Sequence, residues 1–572
     1  MERRSWFSIA MLAVGLSLFV AAGFAGTASS SPTKTGKAGK TALKKGGTLR
    51  VNFPVSDIDD VDPSIAYGTV TWHIEYATAL KLLNYPDANP PKGSRLVPEG
   101  ASKYAVSPNG RTYTFTIRPG FKFSNGAKVT AKNYAFAINR SLGDAIQSPA
   151  FAFVADENAT NIIGAQDVRD GKATNAKGVK VKGNKLIISL TKPDATFLAK
   201  ISMPFFQAQP LTLSRTDKVI NVDSSHPLPS AGPYYISFRE PNRLVTLKKN
   251  PNYAKGVSKK YKRRAANLSA INIKVAVNLE SAYQEVKADQ SDYTYTLPPT
   301  APAELGQQYG LKGRFRVRTA TCVTYMALNS NNALFRNNPS LRKAVNYVIN
   351  RNSIISLYGA YAGAPTDQYL PKGFPGFREL GSKGYPNTQN RSKAQQLAQG
   401  HVPSGGPWKL YYGLASPGPQ VMELVRSYLS QIGVSIDPQG FRGFAIYDAA
   451  GKRNSPHAFT LGTGWCQDYP DPYDFINILL YGGNIQDENN NNIAYFNSSK
   501  YNKRMENAAK LIGGARLKGY ANLENDLVTK AAPWAAYRQP TDKFFFSSKV
   551  DQRSWLFNPV YEEFSYNVLA LK

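Results

Sequence analysis

The sequence predicts a mixed α/β protein that is divided into more than one lobe. A chain of 572 residues exceeds the size at which a single hydrophobic core stops growing, so two or three lobes are expected. From residue 322 onward, strand-like segments (322–329 and 408–414) alternate with segments of helical spacing (340–359 and 421–433). This β-α-β order is typical of a mixed α/β lobe.

The first half of the chain contains short strands separated by turns. Strand-like patterns cover 46–53, 111–120, 179–183, 185–190, 230–238, 244–253, 272–277 and 291–297. Helical spacing covers 70–83 and 134–138, and Thr130 is a suitable N-cap for the second of these helices. We find no internal repeat and no coiled-coil heptads in the sequence.

The N-terminus has the layout of a secretory signal peptide. Arg3 and Arg4 precede an apolar stretch over residues 6–24, which is followed by small residues with possible cleavage near Ala25 or Ala28. The alternative is an uncleaved membrane anchor, because the apolar stretch is rather long.

The start of the chain therefore predicts export. We expect a signal peptide over 1–28 and a flexible linker over 29–45, which is rich in Ser, Thr, Gly, Ala and Lys. Neither segment contains cysteine, so anchoring through a lipid-modified N-terminal cysteine is not expected. The expected location is the periplasm, the cell envelope or the extracellular space.

The chain contains two cysteines, Cys322 and Cys466. In an exported protein the natural state of such a pair is a single disulfide. The competing interpretation is a catalytic cysteine. That role requires a nearby base, and the nearest histidine in the sequence is His457.

The net charge of +31 raises the question of an anionic partner. The basic residues are scattered, and their densest runs, at 259–264 and 248–249, are short. No helix-turn-helix, zinc-finger or RNA-binding signature occurs, so we expect no nucleic-acid partner. A solvated basic surface, attracted to anionic envelope polymers, fits the pattern better.

Catalytic motifs are missing from the sequence. The four histidines form no HxxxH or HxH pair, and no nucleophile elbow or Walker A loop occurs. The glycine cluster at 413–418 has the wrong spacing for a dinucleotide loop, and the run 487–492 lacks the glycine of a calcium loop. Paired carboxylates stay possible, because they need not be close in sequence. We expect no enzyme, no cofactor and no metal.

The segment GTGWCQDYPDPYDF (462–475) is the most informative motif. Asp468, Asp471 and Asp474 are spaced three apart, but the two prolines between them exclude a regular helix across the first two. The motif therefore predicts a rigid loop at a strand end. A loop with an indole and a carboxylate suits a cationic or zwitterionic small ligand. The alternative is an ordinary acidic turn with Trp465 packed in the core.

This segment is similar to the GWxxDYPDP signature of the family 5 extracellular solute-binding proteins, which include oligopeptide- and dipeptide-binding proteins. Other segments resemble the family in the same order and extend the resemblance from residue 46 to about 540. They are 46–51, 96–140, 230–236, 247–253, 325–351 and 495–508.

The resemblance implies a periplasmic-binding-protein-like α/β fold of type II (cluster C-like), with two lobes joined by a hinge and an extra inserted subdomain. The implied boundaries are 46–90, 216–320 and 541–572 for lobe I, 91–215 for the insert and 321–540 for lobe II. The lobes close around a small ligand, expected to be a peptide. The implied partners are permease subunits of an ABC importer, and the protein is expected to be a monomer.

The resemblance also implies a ligand site. The candidate ligand-binding residues are Gly464, Trp465, Cys466, Gln467, Asp468 and Tyr469. Asp468 matches the acid that pairs with the ligand's free α-amino group in peptide-binding relatives. The backbone of Gly464 and Cys466 is expected to hold the peptide main chain, with Trp465 as the wall of a side-chain pocket.

A disulfide between Cys322 and Cys466 matches a bridge found in some relatives. It is expected to brace the strand that presents Asp468. The chain also departs from the family, because Gln467 stands where many relatives have Ala, and Asn125 replaces a frequent acidic residue.

Several other functions stay open at this stage. Relatives also bind oligosaccharides, opines, haem or metal chelates, so a receptor for one of these solutes is an alternative. From other classes, the alternatives are a secreted enzyme and a basic cell-envelope adhesion protein.

Overall fold

A computed structural model describes residues 42–54, 56–89, 92–156 and 160–572. The expected signal peptide, 1–28, and most of the expected linker, 29–45, lie outside these residues. Residues 42–47 have no regular secondary structure. Within the described ranges, no helix combines the length and the apolar character needed to cross a membrane.

The described residues form short strands and helices throughout. The strands are β1 (Thr48–Pro54), β2 (Leu83–Asn84), β3 (Val97–Pro98), β4 (Ala101–Val106), β5 (Thr112–Ile117), β6 (Ala155–Asp156), β7 (Thr160–Asn161), β8 (Val179–Lys182), β9 (Lys185–Ser189), β10 (Tyr234–Glu240), β11 (Leu244–Lys249), β12 (Ala270–Val277), β13 (Tyr293–Thr294), β14 (Phe315–Thr319), β15 (Cys322–Leu328), β16 (Ala364–Pro365), β17 (Trp408–Gly413), β18 (Ile436–Phe441), β19 (Phe459–Cys466), β20 (Trp534–Gln539), β21 (Thr541–Phe545), β22 (Phe557–Asn558) and β23 (Glu563–Phe564). The α-helices are α1 (Thr69–Thr78), α2 (Ala131–Leu142), α3 (Phe151–Val154), α4 (Ala165–Arg169), α5 (Phe197–Lys200), α6 (Leu279–Lys287), α7 (Ala301–Tyr309), α8 (Pro339–Val348), α9 (Arg351–Ser356), α10 (Arg391–Ala398), α11 (Gly418–Ser430), α12 (Ala445–Ala450), α13 (Tyr473–Leu480), α14 (Ser499–Ala509) and α15 (Gly513–Asp526).

The first large sheet has the strand order β10-β11-β12-β1-β13. Strand β1 lies between β12 and β13 and runs parallel to both. Its buried side chains, Leu49 and Val51, share one core with Val70 and Ile74 of α1. The sheet thereby fixes the loop between β1 and α1, which reaches the site.

The second large sheet has the order β16-β20-β15-β19-β17-β18. Strand β15 is buried along its whole length and pairs antiparallel with both β19 and β20. Such a continuous hydrophobic strand is expected where both faces of a sheet are covered. Helices α8 and α11 cover one face, and β19 ends at the motif that contains Asp468.

A third sheet, β4-β5-β9-β8, is antiparallel. Buried and partly exposed residues alternate along β5, as expected for a strand with one face on a core. Helix α2 packs against β8 and β9, and Thr130 is its N-cap with a reciprocal capping box to Asn133.

Two strand connections join the second sheet to a two-stranded sheet formed by β14 and β21. Strand β14 leads into β15 after Thr319, and β20 leads into β21 through Pro540. Strands β14 and β21 pair with each other in antiparallel register. The two strand connections therefore lie side by side.

The structure corrects two helix predictions. The single helix predicted over 340–359 is wrong, because the chain is extended at Ile349 and the Asn350 side chain caps a new helix, α9. The break lets the buried Arg351 donate to the Ala536 carbonyl at 2.8 Å. The helix predicted over 70–83 ends at Thr78, whose carbonyl accepts from the Gly232 amide at 2.8 Å. The lobe boundaries stay a prediction.

Candidate ligand-binding site

A cavity of about 480 Å³ lies where the β1–α1 loop faces the ends of β15 and β19. This volume is in the usual range for small-molecule sites. The wall also includes α12 and residues 489–491, which belong to the run predicted as a polar loop. Aromatic rings form much of the lining: Tyr67, Trp72, Tyr76, Tyr325, Phe444, Tyr447, Trp465 and Tyr561.

The β19 motif enters this cavity at its end. Gly464, Trp465, Cys466, Gln467 and Asp468 all line it. Strand β19 ends at Cys466, and the chain then turns through two prolines before α13 begins at Tyr473. The segment after Cys466 is therefore a loop at a strand end, and two of its residues, Gln467 and Asp468, line the cavity.

The Asp468 carboxylate is held by two donors. The Tyr67 hydroxyl donates to Oδ2 at 2.5 Å, and the Asp474 carboxyl also hydrogen-bonds it. Burial raises the pKa of Asp468 to about 7, and both hydrogen bonds act against that rise. The carboxylate can therefore be ionised near neutral pH, and no Lys or Arg forms an ion pair with it among the described residues.

Asp474 and Asp471 have different roles in the same loop. Asp474 is fully buried and accepts the Asp468 backbone N–H at 2.8 Å. Burial and the Asp468 charge raise its pKa well above the usual range, so Asp474 holds a proton. Asp471 forms a two-pronged ion pair with Arg516, with both contacts at 2.8 Å, which fastens the loop to α15.

The Gly464 backbone is already hydrogen-bonded in this structure. The Tyr447 hydroxyl accepts the Gly464 N–H at 2.9 Å and donates to the Gly464 carbonyl at 3.2 Å. Tyr447, on α12, was not among the predicted site residues, because nothing in its local sequence marks it. A tyrosine hydroxyl thus occupies the backbone groups expected to hold a ligand main chain.

Trp465 lines the cavity and also packs against the hydrophobic core. Its ring packs edge-to-face against Tyr67, with centroids 5.5 Å apart. Its indole N–H has no hydrogen-bond partner among the described residues. The indole N–H is therefore a buried donor that no described residue uses.

Gln467 and Tyr469 lie on either side of Asp468 and differ in exposure. The Gln467 side chain donates to the Pro559 carbonyl at 2.9 Å and ties the loop to the C-terminal segment. Tyr469 is 1% exposed and is not a lining residue. Its ring lies against Phe153 in the core beneath the loop.

Cys322 and Cys466 form a disulfide. The two residues face each other in the antiparallel register of β15 and β19. The Glu562 carboxylate lies beside Cys322 and accepts the Thr321 N–H. Although these three side chains are close together, the sulfurs are joined to each other and cannot act as thiolate metal ligands.

Three further carboxylates line the cavity: Asp59, Asp60 and Asp448. None of the described residues that line it is Lys, Arg or His. No sequence motif predicted this acidic lining. The dense run of aspartates over 57–62 was the available signal, but it did not reveal which of them face a cavity.

Comparison with known proteins decides the family. A model described as bacterial extracellular solute-binding proteins, family 5 (middle) matches residues 95–487. The chain belongs to this family. The resemblance seen in the sequence is thereby confirmed.

Relatives of this family 5 member match over most of their length. The oligopeptide-binding protein OppA of Bacillus subtilis is 23% identical over 84% of this chain and 86% of its own. Heme-binding protein A of Haemophilus influenzae is 25% identical over 77% and 79%. The structure of Haemophilus influenzae OppA in complex with RPPGFSPFR aligns with a TM-score of 0.76 at 20% identity, covering 93% of this chain and 100% of the other. The predicted two-lobed α/β fold is confirmed.

Proposed function

We propose that this chain is an exported, non-catalytic solute-binding protein that captures a peptide in the cavity and delivers it to the permease of an ABC importer. The observation that carries this proposal is the Asp468 carboxylate in the cavity wall. It has two hydrogen-bond donors and no cationic partner among the described residues. An α-ammonium group supplies the missing charge.

The surroundings of Asp468 suit a peptide main chain. The unused indole N–H of Trp465 and the Gly464 backbone, now bound by Tyr447, lie along the same strand end. Exchange of the Tyr447 hydroxyl for a peptide group preserves the hydrogen bonds of Gly464. The names of the relatives, which include oligopeptide-binding proteins, support the same ligand class.

We propose that the strand connections at Thr319–Cys322 and Gln539–Thr541 are the hinge between the lobes. The predicted boundaries place 46–90, 216–320 and 541–572 in one lobe and 321–540 in the other. Tyr67 and Asp468 then lie on opposite sides of the cleft, and a ligand that contacts both lobes favours closure. The closed form is the one that we expect the permease to bind.

Calorimetry with the whole chain tests the proposal. A short neutral peptide with a free N-terminus, Ala-Ala-Ala, is compared with its N-acetylated form and with an oligosaccharide. We expect the free peptide to bind and acetylation to weaken binding at least tenfold, because the ammonium charge is lost. Asp468→Asn should remove this discrimination, whereas Asp437→Asn, a control on exposed β18, should keep it.

The outcomes separate the alternatives. Binding of the oligosaccharide and of no peptide would indicate a receptor for another solute. Salt-sensitive binding to an anionic polymer without any ligand response would indicate an adhesion protein. Turnover of a substrate by the purified chain would contradict the non-catalytic role.

A further inference from the structure

The charge of the cavity is opposite to that of the rest of the molecule. The chain carries a net charge of +31, yet Asp59, Asp60, Asp448 and Asp468 line the cavity, and none of the described lining residues is Lys, Arg or His. One ammonium group neutralises one carboxylate. The α-ammonium group assigned to Asp468 therefore leaves the charge of the other three unmatched.

The aspartates between β1 and α1 differ in whether they have an arginine partner. Asp62 forms a buried two-pronged ion pair with Arg140, with both contacts at 2.5 Å. Asp57 pairs with Arg239 at 3.3 Å. These two do not line the cavity, whereas Asp59 and Asp60, which do, have no ion pair among the described residues. Among the described aspartates between β1 and α1, Asp57 and Asp62, outside the cavity, pair with arginines, and Asp59 and Asp60, in its lining, do not.

Asp59 and Asp60 differ in whether a carboxylate oxygen is left to accept a hydrogen bond from a ligand. The Asp59 carboxylate accepts the backbone N–H groups of Tyr67 and Gly68 at 2.5 and 2.6 Å, so it contributes mainly its charge. Asp60 uses Oδ1 for the N–H groups of Val61 and Asp62. Its other oxygen has no hydrogen bond within the described part of the chain and is free for a ligand donor.

Asp448 approaches the same region from α12. Its side chain makes no hydrogen bond and no ion pair with any described residue, and it lies close enough to Asp59 for that charge, together with burial, to raise its pKa. Lys452 offsets part of this effect but does not line the cavity. Charges of the same sign on two facing elements repel each other, and a cation between them converts the repulsion into attraction.

Tyr325, which lines the cavity from β15, carries a second unpartnered group. The Tyr325 hydroxyl is fully buried and has no hydrogen-bond partner among the described residues. Its ring is fixed by stacking on Trp534, with centroids 4.0 Å apart. A buried polar group without a partner costs stability unless a ligand satisfies it. The rings of Phe444 and Tyr447 beside Asp448 add faces on which a cation can lie.

We propose that the cavity selects ligands with a second cationic group, a lysine- or arginine-type side chain, and that Asp59, Asp60 and Asp448 recognise it. This inference rests on the proposed peptide-binding function. Recognition of a charged side chain is a specificity that the α-ammonium site alone does not give. The corresponding ligand class is short basic peptides.

The test compares Ala-Lys-Ala and Ala-Ala-Lys with the same peptides carrying acetyl-lysine, which keep length and shape but lose the side-chain charge. Calorimetry with the whole chain at neutral pH should show at least tenfold tighter binding of one charged peptide over its acetylated form. Asp448→Asn and Asp60→Asn should each reduce this ratio. Asp437→Asn, which removes the same charge from the exposed end of β18, should leave the ratio unchanged.

Each outcome decides the inference. Equal affinity for charged and acetylated peptides overturns it while the proposed function stands, and so does a preference that survives both variants. Failure of every peptide to bind, Ala-Ala-Ala included, overturns both proposals. Because the Asp448 side chain makes no hydrogen bond or ion pair with the described residues, its variant should fold normally, and its thermal unfolding provides the check.

Discussion

The Tyr67 hydroxyl donates a 2.5 Å hydrogen bond to the Asp468 carboxylate across 401 residues of sequence. Tyr67 precedes α1, and Asp468 follows β19, so the bond joins the two sides of the cavity. Burial raises the pKa of Tyr67, and the Asp468 charge raises it further, so the hydroxyl keeps its proton and remains a donor. A ligand ammonium group approaches a carboxylate that is already oriented.

Ligand affinity should depend on pH through Asp468. Its pKa of about 7 in the free protein is raised from the usual value, and an ammonium ligand favours the ionised form. Affinity for Ala-Ala-Ala should therefore fall as pH drops below about 7. It should fall again above about 8, where the α-amino group loses its proton. Calorimetry across this range measures the profile.

Tyr67→Phe should move the acidic limb of that profile to higher pH. The hydroxyl stabilises the ionised carboxylate, so its loss raises the pKa of Asp468. Tyr104→Phe, on an exposed strand, is the control and should leave the limb in place. If the acidic limb of the affinity profile stays at the same pH in Tyr67→Phe, another group controls the titration.

Asp474→Asn should be tolerated, whereas Asp474→Ala should not. Because the carboxyl is buried and protonated, asparagine preserves both the acceptor for the Asp468 N–H and a donor toward its carboxylate. We expect the asparagine variant to lose less than about 1 kcal/mol and the alanine variant about 1–3 kcal/mol of unfolding free energy. Urea unfolding measures both. Equal losses of unfolding free energy in the two variants would contradict the protonated state of Asp474.

The Asp62–Arg140 ion pair should contribute more to the free energy of unfolding than any surface ion pair. Both side chains are completely buried, and the pair joins the β1–α1 loop to α2. Removing one partner leaves a buried charge, so Asp62→Ala should cost about 3–5 kcal/mol. Glu423→Ala, in an exposed pair with Arg426, should cost less than about 1 kcal/mol. Thermal or urea unfolding compares the two variants.

Reduction of the disulfide should lower both stability and affinity. The bridge closes a sequence separation of 144 residues, for which chain entropy gives at most about 5 kcal/mol. The chain contains no other cysteine, so a reductant acts on this bond alone. Unfolding temperature and peptide affinity should both fall, and a Cys322→Ser/Cys466→Ser double variant should be insensitive to the reductant. If peptide affinity is unchanged on reduction, the disulfide is not needed to hold Asp468 in position.

Local pattern and family resemblance predicted the strands, the family and the position of the β19 motif. Those features depend on neighbours in the sequence. The break at Asn350 was missed because the apolar spacing continues across it, while the backbone turns to place Arg351 inside. Tyr447 and Asp59 were missed for another reason. Their positions in the cavity wall depend on contacts with distant segments, which no short motif encodes.

The contrast between an acidic cavity and a basic exterior affects the rate of capture. A cationic ligand approaching a molecule with a net charge of +31 is repelled at long range before it reaches the carboxylates. This repulsion is screened beyond about 10 Å at 0.1 M ionic strength, whereas contacts inside the cavity are screened less. For a basic peptide, added salt should therefore speed association, the reverse of ordinary electrostatic steering. In dilute medium the exterior acts as a kinetic barrier around an attractive interior.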